Sequence, residues 1–421
     1  MIFQSVFKRN FYLVLNSNYL KMKKFFSLLL IVISLSVIPF MAFSQPQSMP
    51  KEVSALTDSL KNIYAPDKRV DLFSVIYTID GKKLMLQGNT TSAEAHESLV
   101  HGLQRYGYDV MDCMRVFPSE DLDDKVYGIV NVSVCNIRSS ADFSSEMITQ
   151  SLMGTPVKVL EKDGWFHIQT PDRYLGWVHS VGVYRVNKEE LHAWNQAEKV
   201  IVTDHYGWVF EKPDIKSQHV SDVVAGNRLK YEGQQGNFYK VCYPDGRKGF
   251  ILKEQSQLES YWRRNLKQDA ESILATAKTM IGVPYLWAGM SSKGVDCSGF
   301  VRTILYMHDI IIPRDASQQC LRGDKIEIAS DFSNLIPGDL IFFGTKATAQ
   351  RKERVVHVAL YLGNKRFIHS QGDVHISSFD KNDELYDSYN LNRLLFATRI
   401  LPYVGMDPEM NTTATNSFYN Y

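Results

Sequence analysis

The stretch that decides the fold is Ile281-Gly-Val-Pro-Tyr-Leu-Trp-Ala-Gly-Met-Ser-Ser-Lys-Gly-Val-Asp-Cys-Ser-Gly-Phe300, which runs on into Val301-Arg-Thr-Ile-Leu-Tyr-Met307. A Gly-rich approach ends in Asp296-Cys297-Ser298-Gly299, and the apolar positions Phe300, Val301, Ile304 and Leu305 then recur at helical spacing. Cys297 therefore falls at the first turn of a buried helix. Unpaired N–H groups and the positive end of the helix dipole favour a thiolate there, and the thiolate is the nucleophilic form of cysteine. Ser298 and Gly299 are small enough to let a substrate carbonyl approach. Taken alone, the stretch leaves open the alternative of a buried, inert cysteine.

A nucleophilic cysteine needs a base. Arg354-Val-Val-His357-Val-Ala-Leu-Tyr-Leu-Gly363 alternates like a strand, with His357, Ala359 and Tyr361 on one face. Gly363-Asn364 is a turn signal, and Arg366-Phe-Ile-His369-Ser-Gln-Gly372 reads as the returning strand of a hairpin. Folding about that turn sets His357 and His369 nearly opposite each other. One imidazole takes the thiol proton, while the second orients it and fixes its tautomer.

These residues carry a resemblance. Pro284-Tyr-Leu-Trp287, Asp296-Cys-Ser-Gly-Phe300, Ile312-Pro-Arg-Asp-Ala-Ser-Gln-Gln319, Pro337-Gly-Asp-Leu-Ile-Phe-Phe343, His357-Val-Ala-Leu-Tyr-Leu-Gly363 and Phe367-Ile-His-Ser370 resemble the NlpC-type cell-wall cysteine peptidases, papain-like enzymes that cut peptidoglycan stem peptides. The likeness spans residues 268–401. It implies Cys297 as nucleophile, His357 as base and His369 as orienter, with neither metal nor other cofactor. Ala288 departs from the pattern, standing where the family usually has a second glycine before Gly289, and is expected to crowd the approach loop slightly.

Several neighbours have two readings. The Tyr285 hydroxyl is placed to hold an oxyanion beside the Cys297 backbone N–H, or its ring packs the loop. Asp296 pairs with a substrate amine or caps the helix. Arg314 takes a substrate carboxylate in bidentate fashion or forms a salt bridge with Asp315 or Asp339. His308 is a spare histidine, and His375, six residues after His369, is a second candidate for the orienter. Residues 345–354 are a polar, basic insertion expected to form a rim loop.

With 421 residues and 44% hydrophobic composition, the chain has material for two to four domains, and a net charge of +1 argues against a nucleic-acid partner. Five cysteines make neither a metal-type pair nor a disulfide framework. Met22-Lys-Lys24, the apolar run 25–40 and Ala42-Phe-Ser44 before Gln45 read as a signal peptide over residues 1–45, with Met22 as the true start. The mature protein is then exported to the periplasm or beyond, without a stable membrane anchor, and is expected to be a monomer.

Residues 46–122 read as a small α/β segment without a chemical motif. Two repeats follow. Gly154-Thr-Pro-Val-Lys-Val-Leu-Glu-Lys-Asp-Gly-Trp-Phe-His-Ile168, Pro171-Asp172 and Gly176-Trp-Val178 match Gly226-Asn-Arg-Leu-Lys-Tyr-Glu-Gly-Gln-Gln-Gly-Asn-Phe-Tyr-Lys-Val241, Pro244-Asp245 and Gly249-Phe-Ile251, offset by 72 residues and then 73. Short strands with tight turns suit small β-barrels. They resemble bacterial SH3-like domains, at residues 123–187 and, after a helical linker, within 188–256. In the first, Arg138, Glu146, Thr149-Gln150 and Tyr174-Leu-Gly-Trp177 resemble the γ-D-glutamyl dipeptidyl-peptidase branch of the family. That likeness implies that Glu146 and Tyr174 read a substrate's free amine.

The expected architecture is α+β, with a papain-like catalytic domain over residues 257–402 and a disordered tail over 403–421. The expected reaction is hydrolysis of the amide between γ-D-glutamate and the diamino acid (L-lysine or meso-diaminopimelate) in stem peptides with a free N-terminal L-alanine. A broader endopeptidase on intact wall, or a non-catalytic wall-binding protein, is the alternative.

Overall fold

The computed structural model describes residues 49–420; the signal-peptide reading lies outside them. The chain divides into a short unit ending at Ser54, described from residue 49, and a second running from Ala55 to Tyr421. Among the described residues no helix is long and apolar enough to cross a membrane.

Helix α1 (Lys51–Tyr64) is the first element among the described residues. Strands β1 (Phe73–Asp80) and β2 (Lys83–Thr90) form a tight hairpin, and α2 (Ala93–Arg105) crosses to β3 (Asp109–Val116), which pairs parallel to β2. Ser92 caps α2 through the Ala95 N–H, and Leu99 and Leu103 lie on its buried face.

The first barrel comprises β4 (Tyr127–Val130), β5 (Val134–Arg138), β6 (Met147–Leu152), β7 (Pro156–Asp163), β8 (Trp165–Gln169), β9 (Leu175–His179) and β10 (Val183–Val186). After the capped linker helix α3 (Lys188–Gln196) come β11 (Lys199–Val202), β12 (Tyr206–Phe210), β13 (His219–Val224), β14 (Arg228–Gln235), β15 (Phe238–Cys242), β16 (Lys248–Leu252) and β17 (Ser256–Leu258). Their sheets run β10-β4-β7-β8-β9-β5-β6 and β17-β11-β14-β15-β16-β12-β13, the same order strand for strand. Tyr127 and Pro156 start strands 72 residues before Lys199 and Arg228, whereas Trp165 and Val183 precede Phe238 and Ser256 by 73. The extra residue sits in the central hairpin: Gly164 alone separates Asp163 from Trp165, but Gly236 and Asn237 separate Gln235 from Phe238.

The C-terminal domain follows α4 (Glu259–Asn265). It comprises α5 (Ala270–Thr279), a short ribbon of β18 (Met290–Ser291) and β19 (Gly294–Val295), α6 (Cys297–Tyr306) and α7 (Ala316–Gln319). Then come β20 (Asp324–Ile326), β21 (Leu340–Thr345), β22 (Arg354–Gly363), β23 (Arg366–Gln371), β24 (Asp373–Ser378), α8 (Ser388–Asn392) and β25 (Leu394–Arg399). The six-stranded sheet is antiparallel, ordered β20-β25-β21-β22-β23-β24. Alternation splits its side chains. Leu340, Phe342, Val358, Leu360 and Ile368 pack with Phe300, Val301 and Ile304 of α6, whereas Ile341, Phe343, Ala359, Tyr361 and Phe367 form a core on the other face.

The expectation of a disordered tail does not hold for residues 403–420. Met410, Thr413, Asn416 and Phe418 are buried. Asn411 exchanges backbone hydrogen bonds with Ile311, at 2.7 and 3.1 Å. The Asn416 amide donates to the Pro171 carbonyl of the first barrel at 2.9 Å. The tail lacks a periodic apolar pattern because it is held by isolated anchors and by Thr and Asn side chains that close its own turns.

Candidate active site

Cys297 is the first residue of α6, as its sequence implies. Asp296 is the cap, accepting from the Gly299 N–H at 2.7 Å and from the Ala288 N–H at 2.9 Å. The N–H groups of Val358, the residue after His357, and of Ser298 point at the sulfur. The thiol nonetheless does not rest as a depressed-pKa thiolate. Burial first, and then the Asp296 carboxylate, push it up to about 11. The expected helix effect is overridden first by burial of the sulfur and then by the anionic cap, which offsets the positive end of the helix beside it.

Arg314 departs from both expected roles. It is 1% exposed and partners neither Asp315 nor Asp339. Its Nη2 donates to Asp296 Oδ2 at 2.6 Å, and Nη1 donates to Asp296 Oδ1 at 3.2 Å and to Ser298 Oγ at 2.8 Å. Nε donates to Thr149 Oγ1 of the first barrel at 3.1 Å. Enclosed in this way, Arg314 is not offered to a substrate carboxylate. Asp339 pairs instead with Arg399.

His357 Nε2 lies 2.8 Å from His369 Nδ1, and His369 Nε2 lies 3.2 Å from Ser377 Oγ. Both rings are buried, and burial holds both below the ordinary histidine range, His369 at about 3. The two histidines are not directly opposite. Asn364 and Lys365, both left-handed, form the two-residue turn, and a bulge between Tyr361 and Gly363 precedes it. His369 stands opposite His375 on β24, whose ring packs edge-on at 4.5 Å and hydrogen-bonds to Asp373. His375 is therefore a neighbour of the orienter position, and its hydrogen bonds run away from His357. His308 bonds to the Lys267 carbonyl and Thr276, apart from this cluster.

Cys297 opens onto a cleft of about 390 Å³ lined also by Tyr285, Asp296, Ser298, Asp315 and Ser317 of the catalytic domain and by Glu146 and Tyr174 of the first barrel. Burial, then the nearby Cys297 and Asp296, push the Tyr285 phenol up to about 12, so it stays a proton donor. Glu146 is exposed and accepts from Trp287 Nε1 at 3.0 Å. Tyr174 is buried, and its hydroxyl donates to Asp315 Oδ2 at 3.2 Å. The barrel is docked by Thr149 and by Gln150, whose Oε1 accepts the Met290 N–H at 2.8 Å. Arg138 instead braces its own hairpin by donating to the Ser145 carbonyl at 2.6 Å.

Sequence reasoning missed Ser377 and Arg69. Folding the chain about Gly372, where Gln371 pairs with Asp373, would have set Ser377 on the same face as His369. Nothing in the local pattern signals Arg69, whose Nη1 donates to Asp315 at 2.7 Å and to Ser317 at 2.9 Å from more than 240 residues away.

A helix-borne cysteine packed on an antiparallel sheet that carries paired histidines defines a papain-like cysteine peptidase. Residues 282–395 match the NlpC/P60 family, and residues 133–184 match the bacterial SH3 domain. A gamma-D-glutamyl-L-lysine dipeptidyl-peptidase of Bacillus cereus is 33% identical over 236 residues, 54% of this chain and 68% of its own length. A dipeptidyl-peptidase 6 of Lysinibacillus sphaericus is 27% identical over 276 residues, 61% of this chain and 93% of its own. The crystal structure of an NlpC/P60 family protein from Bacillus cereus, 27% identical, aligns with a TM-score of 0.53 over 66% of this chain and 100% of that one. The chain belongs to the NlpC/P60 family.

Proposed function

We propose that this protein is an exported cysteine peptidase that hydrolyses the amide between γ-D-glutamate and L-lysine or meso-diaminopimelate in peptidoglycan stem peptides with a free N-terminal L-alanine. The observation that carries this reading is the cleft itself. It brings the nucleophile candidate Cys297 together with Glu146 and Tyr174 of a separate domain. A wall behind the reacting bond blocks longer chains, and an ammonium drawn into such a pocket needs a carboxylate partner, which Glu146 supplies. The activity named for the relative from Bacillus cereus accords with this reading. Export rests on residues 22–45, read as a signal peptide.

In this reading the proton route uses the histidine pair. With Nε2 turned to His369, His357 has Nδ1 left to accept the thiol proton. Its Nε2–H then donates to His369 Nδ1, and His369, protonated at Nε2, donates to Ser377 Oγ. Because the resting thiol is neutral, deprotonation accompanies attack, and the base is drawn on when the carbonyl arrives. Tyr285 and backbone N–H groups at the start of α6 hold the oxyanion. His357 returns the proton to the leaving amine, and water frees the dipeptide.

The test is mass spectrometry of products from L-Ala-γ-D-Glu-L-Lys. Cys297→Ala should abolish release of L-Ala-γ-D-Glu while the fold persists, and retained turnover would rule the mechanism out. If N-acetylated peptide is cut as fast as free peptide, the enzyme is instead a broader endopeptidase.

A further inference from the structure

The segment between α1 and β1 belongs to a part of the chain whose sequence carries no chemical motif, yet it touches two residues that line the cleft. Arg69 is its contact. Asp67 grips the guanidinium, taking Nε at 2.9 Å and Nη2 at 2.7 Å. That leaves Nη1 for Asp315 Oδ2 at 2.7 Å and Ser317 Oγ at 2.9 Å. The same Asp315 oxygen takes the Tyr174 hydroxyl. Gln318 of α7 donates back to Asp67 at 2.9 Å, closing the ring. The backbone here is strapped to the first barrel beside Tyr174: the Leu175 N–H donates to the Arg69 carbonyl at 2.7 Å, and Gln169 Nε2 donates to the Val70 carbonyl at 2.8 Å.

Three pieces of chain thus meet at one carboxylate. Asp315, Ser317 and Tyr174 line the cleft, and Arg69 stands behind them. Helix α7 is only four residues long, and its own hold on Asp315 is a capping box with Gln318, whose side chain in turn donates to Asp67. The first barrel touches Asp315 through one neutral hydroxyl. The strong contact is the charge-assisted one from Arg69, and a bidentate grip on Asp67 fixes where that charge sits.

We infer that Arg69 is a positioning residue that sets the closed end of the cleft. The inference rests on the functional reading above and makes the N-terminal α/β segment a buttress behind the wall of the specificity pocket. Arg69 touches neither the reacting atoms nor the histidines. Its loss weakens binding of peptides that fill the closed end and leaves the chemical step alone.

Steady-state kinetics on L-Ala-γ-D-Glu-L-Lys and its N-acetylated counterpart test this with wild type, R69A, R69K and D67N. R69A should raise KM for the free peptide roughly tenfold, the worth of one charge-assisted hydrogen bond. Its kcat should stay within about twofold of wild type, and its preference for free over acetylated peptide should fall. R69K, which keeps the charge on Asp315, should recover most of the lost KM. D67N should reproduce the R69A change in weaker form, because it frees Arg69 without altering a cleft residue. Arg69 is half-buried, so R69A should fold, and thermal unfolding confirms it. An R69A with unchanged or lowered KM, or with a loss confined to kcat, overturns the inference. If wild type itself releases no dipeptide, the functional reading fails first and the inference falls with it. If wild type works and R69A matches it, the inference alone fails.

Discussion

Arg314 and Asp296 close on each other in a buried bidentate pair, at 2.6 and 3.2 Å, with the carboxylate also capping the helix that begins at Cys297. After burial, the Asp296 carboxylate is the next cause raising the Cys297 thiol, and Arg314 works against it. Asp296→Asn keeps an acceptor at the cap and removes the main charge that raises the thiol. The apparent pKa for alkylation of Cys297 should then fall below about 11, the value burial and Asp296 impose together. Peptide mass spectrometry must follow Cys297 itself, because Cys113 is exposed. Arg314→Ala should cost about 3–5 kcal/mol of stability, since it strands a buried carboxylate. An unmoved alkylation profile in Asp296→Asn would show that burial alone sets the thiol.

His369 should matter through kcat. Removing it in His369→Ala leaves His357 Nε2 without its partner and lets the ring take either tautomer. A loss of about 10²–10⁴ in kcat with KM near wild type is expected, the range for a misoriented general base. His369→Asn offers a carbonyl acceptor near the same place and should fall between the two. Equal losses in the Ala and Asn variants would mean that the hydrogen bond of 2.8 Å does not govern the tautomer.

What the sequence revealed of this site depended on how local the information was. The helix start at Cys297, the histidine strand and the repeat of the barrels are encoded in contiguous patterns of apolar residues and turns. The offset of one residue in the hairpin is legible from Gly164 against Gly236-Asn237. The choice of ionic partner was not legible. Arg314 is adjacent in sequence to Asp315 yet pairs with Asp296, and Asp315 is claimed by Arg69. The first choice is made by the packing of two segments within one domain and the second by packing between domains, and neither leaves a periodic trace. The turn at Asn364 and Lys365 and the adjoining bulge displace the pairing by two residues, one full side-chain repeat, so the two histidines share a face and meet diagonally although they lie symmetrically about Gly363.

The buried histidines make the fold acid-sensitive. His357 and His369 are held neutral, with folded values below the unfolded value of about 6.5. The unfolded chain therefore binds protons first as pH falls. Stability from this source is intact above about pH 6.5 and declines below it by about 1.4 kcal/mol per pH unit for each histidine. For His369 the decline continues toward about pH 3. In thermal melts between pH 6.5 and 4.5, His369→Gln should show a shallower fall in Tm than wild type. A parallel fall would place the acid sensitivity elsewhere, in the carboxylates.

Ala288 offers the converse case, a stabilising change beside the nucleophile. Its φ is 62°, in the left-handed region, and its side chain is 2% exposed, so the conformation is imposed by the loop. The loop imposes it because the Ala288 N–H must reach Asp296 Oδ2, at 2.9 Å, on the far side of the cap from Gly299. The cost of alanine here is thus backbone strain, more than the crowding that its side chain suggests in the sequence. A left-handed L-residue costs about 1–2 kcal/mol, and glycine returns about 0.5–1 kcal/mol of that through the entropy of the unfolded chain. Ala288→Gly should therefore stabilise the protein by up to about 1 kcal/mol in denaturant melts. Turnover should stay within about twofold, because the hydrogen bond to Asp296 comes from the backbone and survives the change. A destabilised variant would mean that the methyl group contributes more to the cleft wall than the strain costs, and the loop would then be held by packing and not by its hydrogen bond.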